Sequence, residues 1–184
     1  MKVFISGGCK SGKSLYAQQL SKKMQKADKP LYYIATMIAT DREDEKRIAR
    51  HCKERDGWGF ETIEAGTDVV SAIGKCDFQG AFLLDSVTAL LANLMFKPSG
   101  KVEHEAPENV EKQLKDILFR INDIVIVSDF IYSDAIIYDN LTEEYRCGLA
   151  RIDKQVAYMS DVVLELFGGN RIVHKGARLL NEFD

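Results

Sequence analysis

The chain begins with an apolar strand, Val3-Phe4-Ile5, that runs almost directly into Gly7-x-x-x-x-Gly12-Lys13-Ser14 and then into the helix-forming stretch SLYAQQLSKKMQ. Little else in a sequence constrains a fold so tightly. The glycines let the backbone adopt positive φ, so that successive N–H groups of Gly7, Gly8, Cys9, Lys10, Ser11 and Gly12 turn inward toward an anion, and the following helix adds the positive end of its dipole. In such a loop Lys13 reaches the β and γ phosphates of a nucleotide, and the Ser14 hydroxyl faces Mg²⁺. A strand, a cradle and a helix in that order start a parallel α/β unit.

The rest of the chain keeps the alternation. Strand-like runs occur at 30–36, 57–63, 81–85 and 124–129, with helical patterns at 41–55, 68–73, 86–96, 108–121 and 141–160 between them. Residues 162–167 and 171–174 read as a closing strand pair around Gly168-Gly169, and the polar stretch 97–107 reads as a mobile loop. This order predicts an α/β fold of the P-loop (RecA-like) type, with three layers, a mainly parallel central sheet and helices on both faces. With 184 residues, 46% of them apolar, the expectation is a single nucleotide-binding domain spanning 1–184. Ligands of such sheets bind at the carboxyl ends of the strands.

A net charge of −3 gives no basic field, which argues against nucleic acid as a partner. Cys9, Cys52, Cys76 and Cys147 are dispersed without a C-x-x-C pair, and neither a leader nor a membrane-length apolar run is evident. These features read as a reduced, cytoplasmic protein without a membrane span.

Two acids end buried strands. Asp85 follows Phe82-Leu83-Leu84 and takes the place of the acid that completes a Mg²⁺ site with Ser14; Asp129, after Ile124 to Ser128, is the rival. Between them in interest lies the charged segment 41–55, where Arg47, His51 and Arg55 recur every fourth residue and so share a helix face. A histidine among arginines offers a nitrogen able to attack phosphorus while the cations stabilise phosphoryl oxygens. His104, in the polar loop, and His174, at the end of the last strand, lack such partners.

Five elements in order, Gly7 to Ser14, Tyr33-Ile34-Ala35-Thr36, Asp41-x-Glu43-x-x-x-Arg47-Ile48-x-x-His51-x-x-x-Arg55, Thr62-x-Glu64, and Leu83-Leu84-Asp85-Ser86-Val87-Thr88 with Asn93-Leu94, resemble the bifunctional adenosylcobinamide kinase / adenosylcobinamide-phosphate guanylyltransferase family. The resemblance implies an enzyme of cobalamin biosynthesis that phosphorylates the aminopropanol hydroxyl of adenosylcobinamide, using ATP or GTP, and then transfers GMP from GTP to that phosphate through a guanylylated histidine. It places the nucleophile at His51, supports for transfer at Lys13, Arg47 and Arg55, nucleotide contacts at Ala35, Thr36, Glu64 and Asp85, and a homotrimeric assembly. Beyond residue 127 the chain departs from the family pattern: Ser128-Asp129-Phe130-Ile131 stands where Asn-Glu-Val-Gly is usual, and Asp153-Lys154 where Asn-Gln is usual. Two other readings stay open on the residues alone. One is a P-loop kinase of another small alcohol or nucleoside, which releases only a nucleoside diphosphate; the other is a non-catalytic GTP-binding regulatory protein.

Overall fold

Apolar residues run without a break along the central strands, as in Phe82-Leu83-Leu84 and Ile124-Val125-Ile126-Val127, and each strand therefore needs cover on both faces. The computed structural model describes residues 1–183 and meets that need with helices on either side of one seven-stranded sheet, ordered β3-β2-β4-β5-β1-β6-β7. The elements run β1 (Lys2–Gly7), α1 (Lys13–Met24), β2 (Leu31–Ala35), α2 (Arg42–Glu54), β3 (Phe60–Glu64), α3 (Val69–Ala72), β4 (Ala81–Asp85), α4 (Val87–Met95), α5 (Ala106–Arg120), β5 (Asp123–Val127), α6 (Asn140–Met159), β6 (Val162–Phe167), β7 (Asn170–Lys175) and α7 (Ala177–Leu180). Every pairing is parallel except β6 with β7, which forms the expected hairpin at one edge.

The period of two in each strand divides the interior into two cores. Val3, Ile5, Leu83, Val125 and Val127 pack with Ala17, Leu20 and Met24 of α1. Phe4, Phe82, Leu84, Ile124 and Ile126 point the other way, onto α3, α4, α5 and α6, where Leu90, Leu91, Leu114, Ile117 and Ile152 are fully buried. α2 stands apart from both cores, with no buried residue along its length.

Two segments differ from the sequence reading. The stretch 97–107 is a closed turn, because Phe96 bridges Val102 and Lys97 N–H donates to Lys101 O at 3.0 Å, and α5 begins at Ala106, with Pro107 in its first turn. The short α7 was not anticipated, since four residues carry too little periodicity to register.

Candidate active site

The phosphate loop takes its shape from glycine where nothing else fits. Gly7 has φ of 155°, and a Cβ there would collide with the Leu166 carbonyl oxygen on β6. Gly12, at φ 88°, turns the chain into α1 and accepts from Tyr16 N–H at 3.1 Å. Lys13 is folded back over the loop: its Nζ donates to Gly8 O at 2.7 Å and pairs with Asp129 Oδ1 at 2.8 Å, and the residue is 6% exposed. The acid beside Lys13 is thus Asp129 rather than Asp85. The strand order explains this, because β5 adjoins β1 whereas β4 lies one strand farther away.

Asp129 is itself held in place. Its N–H donates to Thr88 Oγ1 at 2.8 Å, and Phe130 N–H donates to Gly7 O at 2.9 Å, which extends the β1 and β5 pairing past the strand ends. Tyr145 of α6 donates to Thr88 O at 3.0 Å. Burial, with the charges of Asp129 and Asp153 nearby, keeps the Tyr145 phenol protonated well beyond the ordinary tyrosine range. Arg146 then ties the divergent segment down, donating to Ile131 O at 3.0 Å and pairing with Asp134 at 2.8 Å and Glu143 at 2.6 Å.

A second cavity, of about 380 Å³, opens beyond β2 and is lined by Tyr33, Ala35, His51, Arg55, Glu64 and Asp85, among others. Asp41 caps α2 by accepting from Glu43 and Asp44 N–H at 2.8 and 2.9 Å. At the other end the helix stops in Arg55, which is buried with its guanidinium 4.0 Å from the centroid of the Tyr33 ring. Arg55 also donates to Thr62 Oγ1 at 3.4 Å and Cys52 Sγ at 3.3 Å. Tyr33 OH donates to Asp85 Oδ2 at 2.9 Å, and burial together with that carboxylate pushes the phenol far above its usual range. His51 is part-buried, with Nδ1 3.3 Å from Glu54 Oε2.

The sequence-derived residues therefore fall into two groups on one sheet edge. Gly7 to Ser14 form the loop at the end of β1, while Ala35, His51, Arg55, Glu64 and Asp85 gather at the ends of β2, β3 and β4. Three strand spacings separate β1 from β2, about 14 Å. Arg47 joins neither group: it is exposed on α2, beside Asp44. Thr36 is fully buried, and its hydroxyl is used between strands, accepting from Ser86 N–H at 2.7 Å and donating to Ser86 O at 2.8 Å. Asn93 clips the same corner, donating to Thr36 O at 2.7 Å and Gly66 O at 2.8 Å. His104 and His174 lie elsewhere, paired with Glu144 and Glu165 at 2.8 and 2.9 Å. Tyr33 was missed as a site residue, although its place two residues before Ala35 on a strand put it on the same face.

Similarity to known proteins shows the family. The sequence profile described as "Cobinamide kinase / cobinamide phosphate guanyltransferase" (CobU) matches residues 3–173. The chain belongs to that family. CobU proteins are bifunctional kinase and guanylyltransferase enzymes of cobalamin biosynthesis, and this chain is accordingly an enzyme that acts with nucleoside triphosphates. No curated protein matches the chain at a significant level. Among solved structures, a KaiC-like protein from Pyrococcus horikoshii OT3 is similar with a TM-score of 0.54 at 13% identity, over 95% of this chain and 78% of that one. The flagellar accessory protein FlaH from Methanocaldococcus jannaschii gives 0.52 at 14%, over 95% and 77%. Both agree with the RecA-like α/β architecture expected of this CobU chain. Among the described residues no helix is long and apolar enough to cross a membrane.

Proposed function

We propose that this chain carries out both CobU reactions on adenosylcobinamide, with the phosphate loop serving nucleotide binding and phosphoryl transfer and His51 serving as the guanylyl carrier. The observation that carries the reading is the grouping of His51, Arg55 and Asp85 around one cavity on the sheet edge that also bears the loop. In the first reaction the acceptor hydroxyl oxygen bonds to the γ-phosphorus and the bond to the β-phosphate oxygen breaks, releasing a nucleoside diphosphate. Lys13 neutralises charge on the transferring group, and Asp129, which already holds the ammonium, fixes where that charge sits.

In the second reaction His51 attacks the α-phosphorus of GTP, a P–N bond forms and pyrophosphate leaves. A phosphate oxygen of adenosylcobinamide phosphate then attacks the same phosphorus, the P–N bond breaks and the imidazole is restored. Glu54 Oε2 lies 3.3 Å from Nδ1 without completing a hydrogen bond; a small adjustment of the Glu54 side chain would complete it, with the proton on Nδ1 and the lone pair on Nε2. Arg55, held flat on Tyr33, supplies a cation of fixed orientation at the cavity wall. Ser14, in the first turn of α1, and Asp85, whose Oδ1 is left free by Tyr33, would hold Mg²⁺. Bound there, the ion would neutralise phosphate charge on both routes.

The test is to incubate the protein with Mg²⁺ and α-³²P-labelled GTP and to look for acid-labile, alkali-stable label on the chain. Label on the wild type and none on His51→Ala is the expected result. Label that survives in His51→Ala would move the nucleophile elsewhere, and no label on the wild type would remove the covalent route.

A further inference from the structure

On the sheet face away from α1 lies another cavity, of about 270 Å³, that neither reaction as described above uses. Phe4, Phe130 and Val163 make its wall apolar, while Ser6, Tyr132 and Asp153 bring polar atoms into it. Asp153, on α6, is only 2% exposed. Its Oδ2 accepts from Tyr132 OH at 3.1 Å; the Ser128 hydroxyl lies near the carboxyl and Tyr132 near Ser6, but neither Oδ1 nor the buried Ser6 Oγ completes a hydrogen bond. Glu165 and His174 at the rim satisfy each other at 2.9 Å. A buried acceptor without a donor costs about 1–3 kcal/mol, and two in one largely apolar cavity match a ligand that brings O–H or N–H groups on an aliphatic frame.

The position of the cavity indicates which ligand that is. Ser6 immediately precedes the first loop glycine, and Phe130 in the wall is bonded to Gly7 and adjoins Asp129, the partner of Lys13. The cavity therefore borders the backbone that leads directly into the loop and into Asp129. We propose that it seats the hydroxyl- or amide-bearing aliphatic arm of the phosphoryl acceptor, with Asp153 Oδ1 and Ser6 Oγ accepting hydrogen bonds from that arm. This rests on the kinase reading given above.

Equilibrium binding of adenosylcobinamide, measured by ultrafiltration and its visible absorbance, tests the assignment. Asp153→Ala should weaken binding at least tenfold and Ser6→Ala about threefold. Asp153→Asn, whose amide oxygen still accepts, should stay within threefold of the wild type. A cooperative thermal melt verifies that each variant folds; should Asp153→Ala fail to fold, Ser6→Ala decides. Unchanged affinity in the folded variants, or no binding to the wild type, overturns the assignment. The kinase reading is checked separately by transfer of label from γ-³²P-ATP to adenosylcobinamide on the wild type. Absent transfer, with binding that depends on Asp153, would remove the kinase and leave the binding site standing.

Discussion

The two helices to which the proposed mechanism assigns the chemistry are built in opposite ways. α1 buries six of its residues, Lys13 among them, and its loop is braced by β1, β5 and β6. α2 buries none, is capped by Asp41 at one end and is anchored at the other by Arg55 on Tyr33. A phosphate cradle needs several N–H groups fixed at once, so rigidity serves it. In the proposed mechanism His51 would meet GTP and later a bulky phosphorylated acceptor, and such a nucleophile gains from a support with little packing to lose.

The sharpest way to break this contrast is to remove one residue from each helix. Lys13→Ala should depress phosphoryl transfer by about 10³-fold, since a fixed charge at the transferring group is lost. His51→Ala should abolish GTP-dependent labelling while γ-phosphate transfer to the acceptor falls less than about threefold, as measured by parallel assays with the two labels. Equal loss of both activities would mean that the sites are not separable.

Stability should divide along the same line. Leu83→Ala, in the fully buried strand core, should cost roughly 3 kcal/mol in denaturant unfolding, whereas Ile48→Ala on α2 should cost less than about 1 kcal/mol. Comparable costs would show α2 to be packed more firmly than its exposure indicates.

The packed side also holds a buried carboxyl. Burial pushes the Asp153 carboxyl from 3.8 up to about 7, reinforced by Asp129 and opposed by the hydroxyls of Ser128 and Tyr132. A folded-state pKa above the unfolded one favours the fold at low pH, and that stability is lost as pH rises from about 4 through 7. Asp153→Asn should therefore raise stability by roughly 2 kcal/mol at pH 8 and by nothing measurable at pH 4, as read from melts at the two values. The smallest effect belongs to the cap. Asp41→Ala should change global stability by less than about 0.5 kcal/mol, yet speed amide exchange in α2 about fivefold, because a cap worth about 1 kcal/mol acts there on local opening.

The parallel sheet and the loop were legible because strand apolarity and glycine geometry are local properties, written within a few residues of each other. The partner of Lys13 was not, since Asp129 is brought to it by strand order, a non-local fact; the sequence ranked Asp85 first for an acid near the phosphates. The helix face divides in the structure. A step of four residues advances 40° beyond a full turn, so Arg47 and Arg55 lie about 80° apart, and only one of them faces the cavity with His51. Asp153 carried a faint signal, lying beside Ile152 on a helix whose apolar stripe it interrupts, but no spacing rule tells a buried acid from an exposed one.

Tyr33 links the two regions. Its ring supports Arg55 at the end of α2, and its hydroxyl, a donor at any physiological pH, points Asp85. A displacement of α2 large enough to carry His51 along the sheet edge would take the guanidinium off that ring and change the charge felt by the acid beneath it. α2 and the strand-end carboxylate are in this sense two ends of one lever, with a single aromatic side chain as its fulcrum.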